Sequence, residues 1–156
     1  MRSNFCGELN KTNLNEEVIL CGWVNRRRDH GGVIFLDLRD KKGLAQIVIN
    51  PETANTFKLA ETIRNEFVIK VTGRVLARDD EMINKKIPTG EIEVLADKIE
   101  ILNASKPIPF QLDSMETSEE VRLKYRYLDL RRDEMQQRLR LRSKVTHFMR
   151  DFMDKN

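Results

Sequence analysis

The sequence predicts a mainly β protein: a five-stranded barrel followed by a helical segment. Five short runs of alternating apolar residues lie between residues 18 and 102, each ended by glycine, proline or polar residues, which is typical of strands. Between the third and fourth runs the apolar residues recur at helical spacing instead. Five strands with a helix between the third and the fourth is the order of the OB-fold, a Greek-key barrel.

Short connections join the predicted strands, which are assigned to residues 18–24, 33–39, 44–49, 67–78 and 91–102. Residues 25–32 are predicted to be a loop that Gly31-Gly32 closes. Residues 40–43 are predicted to be a hairpin turn in which Gly43 supplies a positive φ. Proline cannot donate to a strand ladder, so Asn50-Pro51 ends the third strand.

The second half of the barrel contains the predicted helix and the last two strands. Helical spacing extends from Glu52 to Glu66, which indicates a short amphipathic helix. Gly73 lies inside the fourth strand and indicates a bulge or a bend. Residues 79–90 form a polar loop that ends in Pro88-Thr89-Gly90.

Two domains are expected, residues 1–104 for the barrel and residues 105–156 for a proline-bearing linker and a helical hinge segment. Thr117 and Glu120 have the spacing of a capping box at a helix start. Residues 119–156 contain neither glycine nor proline. They therefore predict one helix that continues to the end of the chain.

Charge is distributed unevenly along the 156 residues. Residues 121–156 carry eleven Lys or Arg against five Asp or Glu, a net charge of +6, so that −3 is left for residues 1–120. The mildly acidic first part nevertheless contains Arg26, Arg27 and Arg28 in a row. A concentrated cationic patch on a body of opposite charge indicates a local anionic partner.

Several classes of protein are excluded by what the sequence lacks. Because no apolar run is long enough for a membrane span, we expect none, and we also expect no signal peptide. The two cysteines have no CxxC spacing, so we expect neither a disulfide framework nor a zinc site. We therefore expect a cytoplasmic location. His30 and His147 have no partner at metal-ligand spacing, and no catalytic motif is present. By itself this chain is expected to catalyse nothing.

Strand alternation places an aromatic ring and an amide on the outer face of the barrel. Ile34, Leu36 and Leu38 form the core face of the second strand, so Phe35 faces outward. The same alternation makes Gln46 an outward polar residue of the third strand. A ring can stack on a base, and an amide offers both a donor and an acceptor to a base edge. OB-folds bind oligonucleotides on this face, between the first and the last loops.

The residues of this face can be interpreted either as an RNA-binding site or as ordinary structural and surface residues. Glu93 lies on the non-core side of the fifth strand, where it could accept from an exocyclic amine such as that of cytosine. Arg78 borders the last loop and could contact a phosphate or a base. Alternatively, Phe35 caps the barrel end, Gln46 and Glu93 are ordinary surface residues, and the arginine run is merely solvated.

Four segments resemble one family of enzymes: Cys21–Asp29 (Cys-Gly-Trp-Val-Asn-Arg-Arg-Arg-Asp), Ile34–Asp40, Gly90–Leu95 and Arg122–Arg132. Together they are similar to bacterial aspartyl-tRNA synthetases of class II, and the resemblance runs the whole length of the chain. It implies an anticodon-binding OB domain, a hinge, and the helix that enters the catalytic domain. We expect the chain to end before the first catalytic motif, so it should hold no cofactor.

The resemblance also implies roles for single residues. Phe35 would stack on the central anticodon base, uridine, and Gln46 would recognise the edge of that base. Arg28 and Arg78 would hold the first and last anticodon bases or their phosphates, and Glu93 would help to recognise the bases. The complete expected RNA-binding set is Arg26, Arg28, His30, Phe35, Gln46, Arg78, Asn84 and Glu93.

The full-length enzyme implied by the resemblance would attach aspartate to tRNA(Asp) with ATP and Mg2+, as a homodimer. The aspartate and asparagine anticodons differ only in their third base, C against U. His30 followed by glycine resembles the forms that accept both tRNAs, whereas a leucine there resembles stricter forms. Since imidazole can donate or accept, we expect tRNA(Asn) to be accepted as well.

Three alternatives remain open at this point. The chain could be a sequence-tolerant OB protein that binds single-stranded nucleic acid. It could be the OB domain of an asparaginyl- or lysyl-tRNA synthetase. It could also be a protein-interaction module that docks through residues 121–156.

Overall fold

The structure is a computed structural model that describes residues 1–114 and 116–155, and the chain divides into two compact units, Met1–Pro107 and the part from Ile108 onward. The first unit is a closed barrel whose strands are β1 (Glu17–His30), β2 (Val33–Arg39), β3 (Leu44–Ile49), β4 (Val68–Ala77) and β5 (Ile92–Asn103). Helix α1 (Ala54–Thr62) lies between β3 and β4. The predicted fold, five strands with one helix after the third, is confirmed.

The barrel closes in the order β1-β2-β3-β5-β4, with β4 paired back onto β1. Strands β3 and β5 are parallel, and every other pair is antiparallel. Alternate residues of the strands fill the interior, as the alternation of β2 and β3 predicted. The largest fully buried side chains are Leu20, Ile34, Leu36, Leu38, Ile47, Ile49, Ile63, Ile69, Ile92, Val18, Val24 and Val71.

The prediction of a loop over residues 25–32 is wrong. Strand β1 continues to His30, which pairs with Val33, so that only Gly31 and Gly32 remain to make the turn. Their φ angles are +60° and +83°. A two-residue hairpin turn with positive φ at both positions matches the twist of the flanking strands, so the two glycines let strand pairing reach the tip.

Helix α1 is shorter at both ends than the predicted span from Glu52 to Glu66. It ends at Thr62, and Ile63 is already extended and fully buried in the core. Glu66 has a φ of +65°, which a helix does not permit. The residues after Thr62 thus serve the barrel instead of continuing the helix.

Strand β1 contains a bulge at Asn25. Val24 pairs with Leu38 of β2, but the next residue to pair is Arg26, with Asp37, so Asn25 is one extra residue on β1. Because side chains alternate with a period of two, one extra residue exchanges the faces of everything beyond it. Without the bulge, Arg26, Arg28 and His30 would share the inward face of Val24.

A buried ion pair holds this bulge in place. The Arg39 guanidinium donates to Asn25 Oδ1 at 2.5 Å and to Glu66 Oε1 at 2.7 Å. The Glu66 side chain is only 3% exposed and that of Arg39 15%. The Glu66 backbone also donates to the carbonyl of Val24 at 2.7 Å, so one residue secures the bulge through both its side chain and its backbone.

The predicted irregularity at Gly73 is confirmed as a bulge, since the pairing of β4 with β5 shifts between Thr72 and Gly73. A Cβ at Gly73 would lie 2.2 Å from the carbonyl oxygen of Leu95. Only glycine lets the two strands approach this closely.

In its described residues the second unit contains three helices, α2 (Glu119–Lys124), α3 (Arg126–Asp129) and α4 (Asp133–Lys155). The expected single helix over residues 119–156 is therefore wrong within the described residues, and Asn156 lies outside them. The helix cap is also one residue later than predicted. Ser118 Oγ accepts from the backbone N–H of Val121 at 3.5 Å, and Thr117 is not the cap.

A buried carboxylate lies at the junction of these helices. Asp129 is fully buried and accepts a hydrogen bond from Arg126, and the guanidinium groups of Arg122 and Arg132 lie 4.0 and 3.6 Å from it. The break between α2 and α3 falls at Tyr125, whose φ and ψ are −109° and 47°. In the described part of the chain, no helix combines the length and apolarity that crossing a membrane requires.

We expect Glu66→Gln to lower the free energy of unfolding of the barrel by about 3 kcal/mol, because it removes one charge of a buried pair. The matched control is Glu100→Gln, which neutralises the exposed partner of Lys70 and should cost less than about 1 kcal/mol. Urea unfolding followed by the fluorescence of Trp23, the single tryptophan, measures both. Equal losses would contradict the bracing role of Glu66.

Candidate nucleic-acid interface

The outer face of β1, β2 and β3 brings together most of the expected RNA-binding residues. In the β1–β2 register Arg26 pairs with Asp37 and Arg28 with Phe35, and paired residues of antiparallel strands share a face. The next outward residue of β1 is His30, opposite Val33. Three of the expected residues therefore lie in a row along the edge of β2.

Two carboxylates, two guanidinium groups and one amide form a continuous polar network across this face. Arg28 Nη2 lies 2.6 Å from Asp37 Oδ1 and donates to Gln46 Oε1 at 3.3 Å. Gln46 Nε2 donates to Glu93 Oε2 at 3.2 Å, and that oxygen lies 3.7 Å from Arg78 Nε. The network thus runs from Asp37 to Arg78 and joins four of the five strands with the residue that follows β4.

Gln46 and Arg78 are largely covered, although both belong to the outer face. Gln46 is 9% exposed, and the Arg78 side chain is 3% exposed. Arg78 Nε also donates to the carbonyl of Ile92 at 3.0 Å, which fixes its guanidinium. The plain interpretation of Gln46 as a solvated surface residue does not fit this burial.

Burial shifts the pKa values at one end of the network. Desolvation raises the pKa of Glu93, and the nearby Arg78 cation and the hydrogen bond from Gln46 only partly oppose that rise. Desolvation likewise lowers the pKa of Arg78, against the attraction of Glu93. Both directions have the same cause, the partial loss of water around two charges of opposite sign.

Some of the arginine nitrogens on this face are buried and have no hydrogen-bond partner. Among the described residues these atoms include Nε of Arg28 and Nη2 of Arg78. A buried N–H without an acceptor is costly. Because the protein itself covers both atoms, a ligand could reach them only if a neighbouring side chain moved.

Phe35 supplies an aromatic surface next to the network. Its ring is half-buried, and the His30 ring meets it edge-on with centroids 6.3 Å apart and an interplanar angle of 63°. His30 itself is exposed at the hairpin tip. The two rings and the Arg28 guanidinium thus form one corner of the outer face.

The other expected residues are placed differently. Arg26 is exposed on the same face, and within the described residues its side chain makes no hydrogen bond or ion pair. Asn84 lies in the loop between β4 and β5, where its Oδ1 accepts from the backbone N–H of Lys86 at 3.0 Å. Asn84 therefore shapes the loop and is not joined to the polar network.

Asp37, the first member of the network, is not among the site residues predicted from the sequence. Its position two residues after Phe35 on the same strand was the available signal. Two other groups do not contribute to this face. Glu91 pairs with Lys11 at 2.9 Å, and burial raises the pKa of the Cys6 thiol, which makes Cys6 a poor nucleophile.

Two family models match the chain. Residues 18–102 match a model described as an OB-fold nucleic acid binding domain. Residues 118–156 match one described as tRNA synthetases class II (D, K and N). The similarity to class II synthetases inferred from the four sequence segments is thereby confirmed.

Individual relatives agree with the family models. Over all 156 residues the chain is 65% identical to the aspartate–tRNA(Asp/Asn) ligase of Ruthia magnifica subsp. Calyptogena magnifica, and it spans 27% of that protein. Its structure is similar to that of asparaginyl-tRNA synthetase from Pyrococcus horikoshii, at 26% identity and a TM-score of 0.84 over 97% of this chain and 35% of that one. Aspartyl-tRNA synthetase from Entamoeba histolytica has the same TM-score at 21% identity, over 92% and 35%, and shows the shared fold alone.

The carboxyl group of Glu93 should titrate above the ordinary range of glutamate, and Arg78→Met should raise its pKa further because a neighbouring cation is lost. A raised folded-state pKa means that the contribution of Glu93 to stability is fully present below the unfolded pKa. It is lost as pH rises through the folded pKa. NMR titration of the carboxyl carbon measures the pKa values.

The matched control for this titration is Lys70→Met, which removes a cation that pairs with Glu100 on another part of the barrel. It should leave the pKa of Glu93 where it is in the unmodified chain. A pKa of Glu93 that does not rise in Arg78→Met would contradict the proposed electrostatic coupling across the network.

Proposed function

The chain belongs to the family of OB-fold nucleic acid binding domains, and we propose that its outer face recognises the anticodon of a tRNA. The observation that carries this proposal is that the Phe35 ring and the Gln46 amide lie on the same outer face of the neighbouring strands β2 and β3, where Phe35 pairs with Val48 and Asp37 with Gln46. A ring and an amide on neighbouring strands can stack on a base and bond to its edge. We assign this function to the barrel domain of residues 1–104.

The central base of the anticodon is proposed to stack on Phe35. Stacking alone is tolerant of sequence and contributes about 1–3 kcal/mol per base. Discrimination then comes from the neighbouring polar groups. Gln46 still has one N–H and one lone pair to offer a base edge after its bonds to Arg28 and Glu93 are counted.

The flanking bases or their phosphates are proposed to contact the charged residues around that pair. The Arg28 side chain is 35% exposed, Arg26 lies exposed along the same edge, and Arg78 lies at the end of the polar network. Glu93 can accept from an exocyclic amine. Asn84 is proposed to act through the shape of its loop, because its side-chain oxygen is occupied by the backbone of Lys86.

We propose that the whole protein is an aspartate–tRNA ligase. The chain spans only 27% of its 65%-identical relative, so the reaction belongs to the rest of such a protein. In the described residues no three His, Cys, Asp or Glu side chains come together in a way that could hold a metal ion. We therefore place aspartate, ATP and Mg2+ outside residues 1–156, in a homodimeric cytoplasmic enzyme.

The proposal includes tRNA(Asn) as a second substrate. The relative that is 65% identical is named for both tRNA(Asp) and tRNA(Asn). His30 is exposed beside Phe35, where an imidazole can donate or accept. The same side chain can therefore bond to either C or U at the third anticodon position.

An anticodon stem-loop that carries GUC should bind this chain more tightly than one in which the central U is replaced by A. Phe35→Ala should weaken binding of the GUC stem-loop by about 1–3 kcal/mol through lost stacking. Tyr127→Ala, which removes an exposed ring of the second unit, is the control and should leave affinity unchanged. Fluorescence anisotropy of a labelled stem-loop at fixed salt measures all of these, and equal binding of the two stem-loops would rule out anticodon recognition.

A full-length enzyme that contains this chain should charge transcripts of both tRNA(Asp) and tRNA(Asn) with aspartate. His30→Leu should lower kcat/KM for tRNA(Asn) relative to tRNA(Asp) by about tenfold, the size of one lost hydrogen bond. Charging assays on the two transcripts measure the ratio. Failure of the unmodified enzyme to charge tRNA(Asn) would contradict the relaxed specificity, and an unchanged ratio in His30→Leu would contradict the role of His30.

A further inference from the structure

We propose that Asp37 is a positioning residue that, through Arg28 and together with Glu93, locks the orientation of the Gln46 amide and so makes the site select uridine over cytidine at the central position. This inference rests on the proposed function, because it concerns the same base. It adds a residue that does not touch the base and a physical reason for the choice between two pyrimidines.

The lock follows from what each neighbour of Gln46 can do. A guanidinium only donates hydrogen bonds, and an ionised carboxylate only accepts them. Arg28 lies against one end of the amide at 3.3 Å and Glu93 against the other at 3.2 Å. A reversed amide would set donors against donors and acceptors against acceptors, so it would lose both bonds and gain repulsion.

Burial strengthens the lock. Gln46 is 9% exposed, so water is a poor substitute for a lost partner, and hydrogen bonds to charged groups are stronger than those between neutral groups. The remaining N–H and lone pair of the amide therefore have fixed positions in the site.

Asp37 controls the end of the amide that faces Arg28. Its carboxylate lies 2.6 Å from Arg28 Nη2, the same nitrogen that donates to Gln46. Asp37 and Gln46 are also partners in the register of β2 and β3. The Asp37 carboxylate thus holds the Arg28 guanidinium against the Gln46 amide. Asp37 itself does not need to contact the ligand.

A fixed amide distinguishes two bases that a rotating amide would accept equally. Uracil has an acceptor at position 4 and a donor at N3, whereas cytosine has a donor at position 4 and an acceptor at N3. An amide that can turn over matches either edge in the same stacked position. An amide whose N–H and oxygen cannot exchange places matches only one of the two bases. The proposed anticodon function makes that base uracil.

The test compares stem-loops with U and with C at the central position, using the unmodified chain and Asp37→Asn. We expect the ratio of the two affinities to fall by about tenfold in the variant, the size of one base-edge contact, chiefly because the cytidine stem-loop binds better. Glu100→Gln is the matched control and should leave the ratio unchanged. If Asp37→Asn fails to fold, Glu93→Gln tests the other end of the amide with the same expectation.

The possible outcomes separate the two levels of the proposal. An unmodified chain that binds the U, C and A stem-loops equally would overturn the anticodon function and the lock together, whereas one that prefers U over A but binds U and C equally would overturn the lock alone. A discriminating chain whose Asp37→Asn variant weakens both stem-loops by the same factor would overturn the lock alone, because a merely structural residue acts in that way. A ratio that falls while Phe35→Ala leaves it unchanged supports the lock.

Discussion

The extra residue in β1 is the constraint on which the whole outer face depends. Asn25 exchanges the faces of the residues beyond it, so that Arg28 and His30 meet Phe35 on the outside of the barrel. A bulge on its own is an irregularity that a strand pair could lose by slipping one register. Here Arg39 opposes the slip, because its guanidinium donates both to Asn25 in the bulge and to the buried Glu66 carboxylate.

The polar network on this face is balanced in charge before any ligand arrives. Asp37 and Glu93 are each near an arginine, and Gln46 lies between the two pairs. Charges at this depth lose part of their hydration, which neighbours of opposite sign compensate only when every partner is in place. The arrangement carries a desolvation cost, and it also fixes the direction of each donor and acceptor.

The strand order and the outward position of Phe35 and Gln46 could be predicted because each depends on local alternation. The faces of Arg28 and His30 could not be predicted, because no local property of Asn25 indicates a bulge. The residue that stabilises the bulge, Glu66, is far along the chain. The breaks at Tyr125 and after Asp129 were missed for a related reason. Neither glycine nor proline marks them, so no local residue type indicates that the helix stops there.

The two-glycine turn has a consequence for the thermodynamics of association. Arginines on a loose loop would have to be ordered each time a ligand binds, at a cost in conformational entropy for every residue immobilised. In this protein strand pairing extends to His30, so the backbone that carries the arginines is already ordered in the free state. Binding therefore costs little backbone conformational entropy at Arg26, Arg27 and Arg28. A ligand of the wrong shape meets a backbone that does not adapt to it.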